Sequence, residues 1–161
     1  MKKMLFCLLI AAVWVFSISI FAEEETNEND LFNKLITAKT LKFIPLKSCT
    51  ADWKKGNPKL LVDNDVTDKE FPPLIFDAID LKKRTARIIS NHGATDVVVI
   101  LNLTGITFIE QTGAGNLNYT TVFFSCIEGT EDYIAVHSRH IDLLVSTPLP
   151  SQLHGICKIW E

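Results

Sequence analysis

Gly105-Ile106-Thr107-Phe108-Ile109-Glu110-Gln111-Thr112-Gly113-Ala114-Gly115-Asn116-Leu117-Asn118-Tyr119-Thr120-Thr121-Val122-Phe123-Phe124-Ser125-Cys126 is the stretch that decides the fold class. Two runs rich in Ile, Thr, Tyr, Val and Phe flank Thr112-Gly113-Ala114-Gly115-Asn116. Branched and aromatic side chains fit a pleated surface, and glycine supplies the positive φ of a tight reversal. The stretch reads as a β-hairpin, the strongest such signal in the chain.

The pattern continues on both sides. Upstream, Phe76 to Leu81 forms a strand, Lys82-Lys83-Arg84 a polar turn, and Thr85 to Ser90 the return. Asn91-His92-Gly93-Ala94 turns again before Val97 to Leu101. Downstream, Gly129-Thr130 leads to Tyr133-Ile134-Ala135-Val136. Pro148 and Pro150 are expected to break the pattern, and Ile156 to Trp160 forms a final strand. Strands joined by short turns pair as antiparallel neighbours. The expectation is a mainly β, up-and-down meander that hides its edges by closing, fully or partly, into a barrel. A curled sheet or sandwich is the alternative.

Before the meander the pattern is weaker. Asp30 is placed to cap a short helix carrying Leu31, Phe32, Leu35 and Ile36 on one face. Leu41, Phe43 and Ile44 begin a strand bent or placed at an edge by Pro45. Residues 47–73 read as irregular, with a turn at Gly56-Asn57-Pro58 and a short strand from Lys59 to Val62.

The amino terminus carries an export signal. Lys2 and Lys3 precede an apolar run from Leu5 to Phe21, and Ala22 is a plausible last residue of a cleaved signal peptide. An uncleaved anchor is the alternative. The chain then divides into a signal peptide at 1–22, a mobile acidic segment at 23–30 and a single β domain at 31–161. Cleavage leaves 14 Lys and Arg against 19 Asp and Glu, a net charge near −5. That balance, without a basic run, argues against nucleic acid or an anionic membrane as partner. No second membrane-spanning run follows Phe21, so no membrane association is expected after cleavage. The expected localisation is the bacterial periplasm or the medium.

An oxidising compartment permits disulfides. Cys49, Cys126 and Cys157 follow the signal, so at most one intramolecular bridge forms. The expectation is Cys49–Cys157 with Cys126 reduced and buried, and three free cysteines remain the alternative.

His137-Ser138-Arg139-His140 is the densest polar cluster in a β region. Side chains alternate faces along a strand. His137 and Arg139 then share one face with Tyr133 and Ala135, while Ser138 and His140 share the other. A solvated strand end, with Arg139 bonded to Glu110 or Asp132, is the plainer reading of the cluster. There is no metal-ligand spacing, and Asp63 to Glu70 departs from a calcium loop at its sixth and twelfth positions, Asp68 and Leu74. Gly113-Ala114-Gly115 lacks the Lys-Ser/Thr ending of a phosphate loop. No metal or other cofactor is expected. Phe108, Tyr119, Phe123 and Tyr133 are candidates to line a barrel interior, either as packed core or around a small apolar ligand.

Phe108-Ile109-Glu110-Gln111-Thr112, Asn116 to Phe123, Ser138-Arg139-His140, Pro150-Ser151-Gln152 and Gly155-Ile156-Cys157 together resemble small exported bacterial proteins with no assigned function. The likeness spans roughly residues 74–160 and implies export, but no activity. The meander also resembles the lipocalin and calycin barrels in architecture only, since Ala51-Asp52 precedes Trp53 where that family has Gly-x before its tryptophan. The leading expectation is a non-enzymatic exported barrel that binds a small apolar ligand or an envelope protein. One alternative is an enzyme using the His137–His140 cluster on an anionic substrate, and another is a purely structural envelope protein.

Overall fold

Buried and exposed side chains alternate along nearly every strand, and that period of two generates the architecture. The computed structural model describes residues 29–54, 56–91, 93–113, 115–141 and 148–161. The signal peptide expected at 1–22 lies outside the described residues, as do 23–28 of the acidic segment and His92. Two compact units are distinguished, Met1–Leu35 and Ile36–Glu161. The helix α1 covers 29–37. Asp30 lies within the helix rather than capping it, and pairs with Lys34 one turn on at 3.1 Å.

The second unit is a closed antiparallel barrel. Its strands are β1 (Leu41–Lys54), β3 (Leu74–Asp80), β4 (Thr85–Ser90), β5 (Gly93–Leu101), β6 (Gly105–Gln111), β7 (Leu117–Cys126), β8 (Tyr133–Ile141) and β9 (Leu149–Ile159). Each pairs with its neighbour in order, and β1 pairs with β9 from Leu41↔Ile159 to Thr50↔Ser151, which closes the barrel. A ninth strand, β2 (Asn57–Asp63), is added to the outer part of β1.

The closing seam is tightest at one position that lacks a side chain. Gly155 of β9 faces Pro45 of β1, and a Cβ at Gly155 would collide with the Ile44 carbonyl oxygen. The register of β1 shifts between Pro45 and Lys47, so its buried positions pass from Leu41, Phe43 and Pro45 to Ser48. A second shift in β3, between Asp77 and Asp80, brings Ile79 inward after Phe76; Ala78, at the shift, has φ 50°.

One end of the barrel is filled. Leu41, Phe43, Phe76, Val99, Ile106, Phe108, Val122, Tyr133 and Cys157 are each at most 1 % exposed. The Phe76 and Phe108 rings stack with centroids 4.2 Å apart. Phe108 and Tyr133 thus belong to the packed interior.

Three expectations are corrected. Residues 47–54 are not irregular, because β1 continues to Lys54; the turn expected at Gly56, φ 80°, and the strand expected over Lys59–Val62 are present, with β2 covering Asn57–Asp63. Pro148 and Pro150 do not delay the last strand to Ile156. β9 starts at Leu149, and Pro150 pairs only with His140 of β8, so its missing N–H removes nothing from the β1 ladder. The cysteines 49, 126 and 157 are free, and no Cys49–Cys157 bridge exists. Register explains why: Cys157 lies opposite Phe43, six residues or about 20 Å along β1 from Cys49. Cys126 is half-buried rather than fully buried.

Candidate functional site

The inward side chains of β6 to β9 fall into cross-strand rows. Phe108, Thr120, His137 and Leu153 form one row, and one step toward the mouth Glu110, Asn118, Arg139 and Ser151 form the next. The change from apolar to polar side chains between these rows ends the packed core. Beyond it opens a cavity of about 540 Å³.

Arg139, Glu110, Asn118 and His137 line this cavity on one side, and Phe71, Pro72, Leu74, Ile88 and Leu153 supply apolar walls. Its rim comes from Asn91 and Gly93 between β4 and β5, and from Thr112, Gly113 and Asn116 between β6 and β7. Both turns lie at the same end of the barrel, as up-and-down topology requires.

The electrostatics centre on Arg139. Its guanidinium sits 5.9 Å from the centre of the Phe71 ring. Among the described residues no carboxylate approaches it within salt-bridge distance. Burial lowers its pKa, and the charge of Glu110 acts in the opposite sense. Arginine nevertheless stays protonated. Asp132, the other acid expected to meet Arg139, pairs instead with Lys158 at 3.1 Å. Glu110 Oε2 accepts a hydrogen bond of 2.7 Å from Asn118 Nδ2. The buried Asn118 Oδ1, Thr112 Oγ1 and Ser151 Oγ have no hydrogen-bond partner among the described residues. Buried polar atoms of this kind are uncommon.

His137 lies one row deeper. Burial, and secondarily the charge of Arg139, push its pKa down to about 4. The ring is therefore neutral near pH 7, with Nδ1 2.7 Å from Thr120 Oγ1.

The four-residue polar cluster divides as strand alternation requires. His137 and Arg139 face the cavity, while Ser138 and His140 lie on the outer face, where His140 meets Tyr119 edge-on at 5.6 Å. Tyr119 and Phe123 likewise fall on the outward parity of β7 beside the buried Thr120 and Val122. Of the expected lining residues, none of Phe108, Tyr119, Phe123 and Tyr133 borders the cavity. Glu110 and Asn118 do, and the sequence carries a signal for both: each is one inward step beyond a core residue, Phe108 and Thr120 respectively.

Among the described residues no group of three or more His, Cys, Asp or Glu is placed to hold a metal ion. Comparison with protein-family models, with curated proteins and with solved structures finds no match.

Proposed function

We propose that this chain is a binding protein that holds a small molecule in the open half of its barrel, with an anionic group toward Arg139 and an apolar part against Phe71, Leu74, Ile88 and Leu153. The observation that carries the reading is the guanidinium at the cavity wall, with no salt-bridge partner among the described residues. A fixed cation in a partly desolvated pocket attracts a carboxylate or phosphate more strongly than one in water. The cavity size falls in the range that accommodates small organic ligands. This reading narrows an apolar ligand to an amphipathic one. With the export signal read from residues 1–22, it describes an exported binding protein of the periplasm or medium.

The test is calorimetric titration with aliphatic and aromatic carboxylates, each paired with its neutral amide. One-to-one binding of a carboxylate but not its amide is expected. Arg139→Gln should weaken it by roughly 30-fold or more, the scale of losing one partner of a desolvated charge pair. Equal binding of acids and amides, or none, rejects the reading.

A further inference from the structure

Among the described residues, the strand β2 pairs with β1 alone. All seven of its residues are exposed, including Leu60 at 67 %, Leu61 at 47 % and Val62 at 64 %. Among the described residues, nothing hydrogen-bonds to its outer edge. Pairing between β1 and β9 ends at Thr50↔Ser151, so residues 51–54 of β1 are paired by β2 alone. The result is a two-stranded arm projecting past the barrel seam, with Trp53 also exposed at its far part. A two-stranded ribbon is marginal in water, and an open apolar edge is a template for another strand.

We infer that the arm is a dimerisation element, with β2 pairing antiparallel to β2 of a second copy of this chain about a two-fold axis at Leu61. The sequence of the strand, Asn57-Pro58-Lys59-Leu60-Leu61-Val62-Asp63, is complementary to itself in that register. Lys59 falls opposite Asp63 twice, Leu60 opposite Val62 twice, and Leu61 opposite its own copy. Alternation puts the two ion pairs and the Leu61 pair on one face, and the Leu60–Val62 pairs on the other. One register therefore matches both charges and gives each of the three exposed apolar side chains an apolar cross-strand neighbour. A two-fold axis suits this geometry, because the same surface serves both partners. The pairing joins four strands where each chain alone offers two.

Charge exchange tests the register. Sedimentation velocity of the purified chain at rising concentration should show a monomer–dimer equilibrium. Lys59→Glu places acids opposite Asp63, and Asp63→Lys places lysines opposite Lys59, so each variant alone should sediment as a monomer. An equimolar mixture of the two should form a dimer again, because each acid then meets a lysine across the axis. Circular dichroism of each variant confirms that the barrel is intact. A wild-type chain that stays monomeric overturns the inference, leaving the edge to a strand of some other protein. Variants that dimerise alone as well as the wild type also overturn it, since the contact then lies elsewhere.

Discussion

His137 Nδ1 and Thr120 Oγ1 lie 2.7 Å apart in neighbouring strands, at the level where the packed half of the barrel gives way to the open half. Burial of the His137 ring, with the charge of Arg139 second, makes stability depend on pH. Folded, His137 titrates at about 4; unfolded, it titrates near 6.5. Between those values the unfolded chain binds more protons. Stability from the neutral ring is complete above about pH 6.5 and is lost as pH falls through 4. The difference corresponds to roughly 3 kcal/mol. Urea unfolding from pH 7.5 to 4.5 should show a steeper decline for the wild type than for His137→Gln. Parallel curves would refute this role.

Gly155 sets the closeness of the barrel seam. Gly155→Ala drives a methyl group, whose position is fixed by its own Cα, into the backbone carbonyl of Ile44, and neither can rotate away. A loss of about 2–4 kcal/mol is expected, at or above the usual cost of overpacking. Thermal unfolding measures it. Gly113→Ala, where a Cβ has open space around it, is the control and should change little.

The filled end should tolerate truncation poorly. Phe76→Ala removes one partner of the 4.2 Å stack and leaves a void beside Phe108. Truncations of buried phenylalanine cost about 3–5 kcal/mol. Equilibrium denaturation should show that loss, and a change below 1 kcal/mol would mean that the core collapses to refill the space.

The thiols should differ in reactivity. Cys157 is fully buried, and burial pushes its pKa far up, so little reactive thiolate forms. Cys126 is half-buried and raised by burial and by nearby Asp132 and Glu131. Alkylation of the native chain followed by peptide mapping should label Cys49 and Cys126 well before Cys157. Adding denaturant should abolish the difference.

The meander was legible because its strands obey the simple code. Thr85–Ser90 buries Ala86 and Ile88 in alternation, and the run matches the strand read from sequence. The β1–β2 arm was hidden for a physical reason. Ser48 to Lys59 is mostly polar, and its alternation has no buried face to reveal it where the ribbon stands in solvent. The polar row was hidden differently. Glu110, Asn118 and Arg139 sit on three strands, and their meeting depends on register. Alternation within β8 already assigned His137 and Arg139 to one face. It said nothing of what stood opposite them.

The apolar plug of Leu41, Phe43, Phe76 and Phe108 makes the barrel a cup with a floor rather than a tube. On the proposed function, a guest enters and leaves at the open end. The rim residues Asn91, Gly93, Thr112, Gly113 and Asn116 are not part of that floor, so on the proposed function substitutions there redraw what the cup accepts while leaving the folding core untouched. Apolar packing and the polar row are assigned to opposite ends of the same eight strands.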